Sequence, residues 1–196
     1  MDTWKEITAR DPEHSHNYAK RWENIAASGQ DIYGEARLLD ALAERDSLIV
    51  DAGCGTGRLS HYLAAAGHRV IGVDIDPVLL EVAANTAEDT CTWVEGDLAS
   101  VEIPTSEADF VISAGQVLTF IAKEDREAVL ANLYACLRPG GFLVAGFGAG
   151  RGFEFPEFFG IAQKVGFERY QEFSSWQCAP FEPDSDFLVA MMRKPA

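Results

Sequence analysis

From residue 47 onward, short apolar runs alternate with segments whose apolar positions recur every three to four residues. The first run, Leu48–Ala52, is followed by an amphipathic stretch over residues 56–66, which Gly67 stops. A second run, Arg69–Asp74, precedes a helix over residues 77–86 with Pro77 in its first turn. Further strands are expected at Thr92–Glu95, at residues 109–114 and at 142–147. Between the last two, Val129, Leu130, Leu133 and Leu137 mark one face of a helix over 123–137, and a sharp turn is expected at Arg138-Pro139-Gly140-Gly141. A helix over 156–165 ends at Gly166. Two extended runs follow, at 167–173 and Phe187–Arg193, with no room for a helix between them. The pattern predicts an α/β fold: a mostly parallel sheet with an antiparallel hairpin at its edge. Residues 1–46 are polar and helical, with Tyr18, Trp22, Ile25 and Ala26 on one face, and form a cap or flank to a domain spanning 47–196.

The chain is organised around Asp51-Ala52-Gly53-Cys54-Gly55-Thr56-Gly57-Arg58, where a strand ends in an acid and three alternate glycines before a helix begins. Such glycines let a backbone approach a ligand closely, and the helix behind them points free N–H groups at the turn. Asp74 lies at the end of the next strand, where a parallel sheet places a ribose-binding carboxylate. An adenosine-like ligand is the expectation. A dinucleotide fingerprint has a glycine where this chain has Arg58, and Asp51 beside the loop repels pyrophosphate while suiting a cationic ligand.

The net charge of −15 opposes binding to nucleic acid or to an anionic membrane surface. The sequence shows no signal peptide and no apolar run long enough to span a membrane, so a cytoplasmic location is expected. Cys54, Cys91, Cys136 and Cys178 lie far apart, without metal-ligand spacing, and are read as reduced structural thiols; no metal is expected.

Taken together, Val50–Gly57 resembles motif I of the class I S-adenosylmethionine-dependent methyltransferases. Val73-Asp74-Ile75-Asp76, Glu95-Gly96-Asp97-Leu98, Asp109–Ser113 and Leu137–Gly141 resemble that family's later signals, in order. The resemblance covers about residues 16–195. It implies a Rossmann-like three-layer αβα sandwich with seven strands in the order 3-2-1-4-5-7-6, the last antiparallel. It also implies S-adenosylmethionine as cofactor. By position, Gly53, Cys54, Gly55 and Gly57 would line its methionine part and Asp51 would orient its ammonium. Asp74 would accept from the ribose hydroxyls and Ile75 would pack on the adenine. Asp97 and the Leu98 N–H would take the adenine edge. Ser113 and Ala114 would lie under the transferring methyl. Asp76, just before Pro77, is better explained as a helix N-cap.

The implied reaction is methyl transfer to a small-molecule acceptor, oxygen or nitrogen favoured. The stretch Ser113-Ala114-Gly115-Gln116 departs from the Asn/Asp-Pro-Pro-aromatic stretch of base-modifying relatives. No catalytic residue is evident. Tyr18, Glu35 and Gln116 are candidates on the acceptor side, Tyr18 because the resemblance places a tyrosine over the cofactor there; the plainer readings are a helix-packing tyrosine for Tyr18 and a solvated or Arg37-paired acid for Glu35. His14 and His16 read as exposed histidines. Phe153, Phe155, Phe158, Phe159, Trp176 and Phe181 wall either a pocket or the core. Two alternatives stay open: a catalytically silent cofactor-binding module and a nicotinamide-dependent oxidoreductase.

Overall fold

The computed structural model describes residues 2–85 and 90–196. Three helices open the chain: α1 (Trp4–Arg10), α2 (His14–Ala27) and α3 (Gly34–Leu42). Then come β1 (Leu48–Ala52), α4 (Arg58–Ala65), β2 (Arg69–Asp74), α5 (Pro77–Ala84), β3 (Thr92–Glu95) and β4 (Ala108–Ser113). Two short 3₁₀ turns, Val117–Phe120 and Lys123–Asp125, lead into α6 (Arg126–Cys136). The chain closes with β5 (Leu137–Gly148), α7 (Phe155–Val165), β6 (Glu168–Phe173) and β7 (Phe187–Arg193).

The seven strands form one sheet in the order β3-β2-β1-β4-β5-β7-β6, and β7 runs antiparallel to both neighbours. This is the expected order. Central strands such as Ile49–Ala52 and Val111–Ser113 are buried, as strands covered on both faces must be. On one face Val129, Leu130 and Leu133 of α6 and Phe158, Phe159 and Ala162 of α7 pack with Val50, Val111 and Leu143. On the other, Ala36 and Leu39 of α3 and Leu59 and Leu63 of α4 pack with Ile49, Ile112 and Val144.

Several boundaries differ from expectation, the helix expected over 123–137 running only over Arg126–Cys136 among them, and three have a plain local reason. Helix α4 starts at Arg58 rather than residue 56 because Gly57 takes the left-handed conformation (φ 75°), which no helix can include. Helix α5 ends at Ala84, with Asn85 as its C-cap; Thr86, where the sequence placed its end, lies outside the described residues. Residues 138–141 do not form a turn between elements but bulge within β5, which pairs with β4 at Leu137 and again from Phe142. The tail after β7 takes up their backbone groups: the Gly140 N–H donates to the Lys194 carbonyl and the Lys194 N–H to the Gly141 carbonyl, both at 2.9 Å. A Cβ at Gly141 would sit 3.0 Å from the carbonyl oxygens of Ala108 and Arg138, so the bulge needs glycine there.

Candidate cofactor site

Strand β1 lies between β2 and β4, where the sheet's winding reverses, and parallel α/β sheets open a crevice at the carboxyl edge of such a point. A cavity of about 380 Å³ lies there. Its floor comes from the loops after four strands: Gly53 and Gly55 after β1, Asp74 and Ile75 at β2, Asp97 and Leu98 after β3, Gly115 and Val117 after β4. Phe120, Ile121 and Asp125 close one side. The roof comes from the N-terminal helices, through Tyr18 and through Thr3, Trp4, Lys5 and Glu6.

The glycine loop is shaped for this position. Gly53 (φ 82°) and Gly55 (φ 55°) adopt conformations that side chains disfavour. A Cβ on Gly53 would meet the Val117 methyls at 2.4–2.5 Å. A Cβ on Gly55 would have only Tyr18 and Leu79 near it, at 3.8 and 4.0 Å, so the cavity is open above that glycine. The ring of Tyr18 thus faces the loop from the far side, and burial raises its phenol pKa.

Asp74 is 8% exposed and shapes the loop directly. One of its oxygens accepts from the Gly55 N–H at 2.8 Å and the other from the Asp76 N–H at 2.9 Å. Burial raises its pKa against the opposing pull of those two bonds. Each oxygen retains a lone pair. Asp97 accepts from the Ala99 N–H at 2.9 Å on Oδ1 and from Lys5 Nζ at 2.7 Å on Oδ2. Burial works to raise the Asp97 pKa, but the Lys5 and Ala99 bonds outweigh it and leave the carboxyl below its ordinary range. Asp76 caps α5 through the Val78 and Leu79 N–H groups. Its Oδ2 also accepts from Trp4 Nε1 at 2.7 Å and from the Ser15 hydroxyl. The acid read as an N-cap therefore also ties α1 and α2 to the sheet.

Other expected residues lie behind the cavity wall. Asp51 is buried, turned toward α4, and accepts from the Ser60 hydroxyl at 2.7 Å; burial pushes its pKa up to about 6. Gly57 is packed under Trp93, His61 and Ala83. Cys54 is buried against Gly72, and burial keeps its thiol well above the ordinary range, which makes it a poor nucleophile. Ser113 and Ala114 are buried at the end of β4, and among the described residues the Ser113 hydroxyl has no hydrogen-bond partner.

Two acceptor-side candidates are engaged elsewhere. Glu35 forms a two-pronged pair with Arg58, both bonds at 3.0 Å, rather than facing the cavity or pairing with Arg37. Arg58 also stacks 4.5 Å from the Trp22 ring, so the residue in the third-glycine position fastens α2 and α3 to α4. Arg37 pairs with Asp31 instead. Gln116 takes φ 71° and its side-chain oxygen accepts from the Gly148 N–H at 2.8 Å, which ties the post-β4 loop to the end of β5. Phe153 stacks on Phe147 and Phe158 stands edge-on to it in the core, and Trp176 covers Gly146; none of the six aromatics lines the cavity. His14 lies edge-on to Trp4. Among the described residues no cluster of three or more His, Cys, Asp or Glu is placed to hold a metal ion, and no helix is long and apolar enough to cross a membrane.

Of the roof, the sequence singles out Tyr18 but not the α1 residues Thr3, Trp4, Lys5 and Glu6. Thr3 and Glu6 form a capping box, and a Thr-x-x-Glu pattern so near the start was a legible signal for α1. Nothing local in the sequence tells where that helix docks.

Residues 49–141 match the family model described as a methyltransferase domain. A TehB-like S-adenosylmethionine-dependent methyltransferase from Corynebacterium glutamicum is 48% identical, with a TM-score of 0.91 over 94% of this chain and 100% of that one. The chain belongs to the class I S-adenosylmethionine-dependent methyltransferase family. Among curated relatives, a carboxy-S-adenosyl-L-methionine synthase of Vibrio parahaemolyticus is 34% identical over 53% of this chain and 46% of its own length. A malonyl-[acyl-carrier protein] O-methyltransferase of Serratia marcescens is 32% identical over 64% of this chain and 48% of its own. The chain spans about half the length of these curated relatives. The family's cofactor is S-adenosylmethionine, and the methyltransferase cavity fits it: two carboxylates with spare lone pairs, an open cradle over Gly55 and apolar walls from Ile75 and Leu98 meet in one space.

Proposed function

We propose that this chain transfers a methyl group from S-adenosylmethionine to a small-molecule acceptor, at oxygen or nitrogen. The observation that carries the reading is the convergence of Asp74, Asp97 and the Gly53–Gly55 turn on one roofed cavity at the sheet's switch point. Asp74 would hold the ribose hydroxyls, Ile75 and Leu98 would sandwich the adenine, and Asp97 would accept from its amino group. Gly55 would let the methionine part lie flat on the loop, with Asp51 acting on its ammonium from the second layer. When bound, the cofactor supplies an electrophilic methyl on a sulfonium. The chain's part is to orient that methyl toward an acceptor and exclude water, and positioning alone is worth effective molarities on the order of 10⁵–10⁸ M.

The cavity wall offers Tyr18, Lys5 and carboxylates, and Tyr18 is held protonated by burial. An acceptor that presents a free lone pair at neutral pH needs no base from this wall. The chain's net charge of −15 favours a small molecule over nucleic acid. Residues 1–46 act as the cap of the 47–196 domain, since α1 and α2 supply the roof.

The test is calorimetry with S-adenosylmethionine, followed by transfer of labelled methyl across a panel of amines, phenols, carboxylates and nucleic acids. Binding followed by turnover on a small molecule supports the reading. Binding with no turnover on any acceptor indicates a silent module, and transfer to nucleic acid alone overturns the acceptor class.

A further inference from the structure

Helix α1 contributes no buried residue to the core, yet its first turn forms part of the cavity roof. It is held there by one indole and two polar contacts of different kinds. Trp4 donates to Asp76 and stands edge-on to Tyr18 and Phe120, with ring centres 5.4 and 5.7 Å away. Asp76 is 5% exposed and fixed from within by Ser15 and the α5 N-terminus. The second contact, Lys5 to Asp97, joins side chains that are 64% and 29% exposed. An ion pair so open to water is weak and easily exchanged. Asp97 Oδ1 takes the Ala99 N–H and Lys5 sits on Oδ2, so a donor arriving at Oδ2 meets the lysine already there.

We propose that Lys5 is a cofactor-exchanged latch: its ion pair to Asp97 opens when the adenine amino group takes Oδ2, while the Trp4–Asp76 contact keeps α1 over the cavity. This rests on the assignment of Asp97 to the adenine. The apo protein is then closed at the adenine end by its own lysine, and cofactor entry costs the breaking of that pair. Removing Lys5 removes a competitor. Affinity for the cofactor rises as a result, by about two- to fivefold, the range an exposed pair represents.

The experiment is calorimetry of S-adenosylmethionine binding to the full chain. The variants are wild type, Lys5→Ala, Lys5→Arg, Asp97→Asn and the Lys5→Ala/Asp97→Asn double variant, each at low and high ionic strength. At low salt Lys5→Ala binds tighter than wild type, and Lys5→Arg, which keeps a cation in place, stays within roughly twofold of it. The gain shrinks toward one at high salt, where screening already loosens the wild-type latch. In the Asp97→Asn background the gain disappears, because it acts through that carboxylate. Wild type that binds while Lys5→Ala binds equally or more weakly overturns the latch alone. A gain that persists with Asn at position 97 also overturns it, since the effect is then only that of removing a positive charge. Wild type that fails to bind S-adenosylmethionine at all overturns the cofactor reading, and the latch with it.

Discussion

Asp51 carries a measurable conflict between stability and site chemistry. Its carboxyl is 2% exposed, receives one hydroxyl hydrogen bond from Ser60, and has its pKa pushed up to about 6 by burial. In the unfolded chain the same group titrates near 3.9. Between those values the folded state holds more protons than the unfolded state, so stability falls as pH rises through this window. The fall is complete once pH exceeds the folded-state value. About two pH units gives roughly 3 kcal/mol across the whole window, of which between about 1 and 2 kcal/mol falls from pH 5 upward. Asp51→Asn keeps the shape and an acceptor for Ser60 but cannot ionise. Its amide nitrogen has a fixed cost of its own, which does not change with pH. The expected outcome is therefore a difference: relative to wild type, the Asn variant gains between about 1 and 2 kcal/mol between pH 5 and pH 7.5. That is roughly 3–6 °C in relative melting temperature for a chain of this size. The measurement is thermal unfolding of both apo proteins across that range, in which the titrations not coupled to Asp51 are common and cancel. Melting curves that shift in parallel with pH would refute the claim that Asp51 ionises at a cost in the fold.

Three further outcomes are expected. Asp74→Ala removes charge-assisted hydrogen bonds worth about 1.5–3 kcal/mol, so S-adenosylmethionine binding by calorimetry weakens about tenfold to a hundredfold; unchanged affinity would show that the carboxylate does not hold the ribose. Trp4→Phe keeps the aromatic packing but takes one donor from Asp76, and loses about 1.5–3 kcal/mol of stability in urea unfolding with no change in the slope of the transition. Glu35→Gln weakens the Arg58 pair and lowers the melting temperature, yet leaves the pH profile of methyl transfer unchanged, because the side chain does not reach the cavity; loss of a rate-controlling ionisation would contradict its placement.

Most of the fold was readable because its signals are local. Strands β1, β2, β3 and β7 fall at the expected residues, since each is an apolar run bounded by a turn residue or an acid. The seven-strand order came from resemblance, not from spacing. The glycine loop, Asp74, Ile75, Asp97 and Leu98 do meet in one cavity, because the ends of neighbouring parallel strands must converge. What the sequence could not supply was partnership across long separations. Glu35 bonds Arg58 rather than its neighbour Arg37, and Gln116 reaches Gly148 rather than a ligand. Lys5 and Trp4 find acids more than seventy residues away. No periodicity encodes such pairings, since they depend on which loops the finished sheet brings together.

The double duty of Asp76 also sets an order of assembly. Its partners Trp4 and Ser15 precede it by 72 and 61 residues, so α1 and α2 have no seat there until β2 and α5 have formed. Closing so long a loop carries an entropic cost that only a formed docking surface offsets. The expected outcome is that α1 and α2 dock after the sheet that seats them. In pulse-labelled amide exchange, protection should appear in the β1–β4 ladder before it appears in α1 and α2. On that expectation the roof of the cavity is fitted to a floor already made.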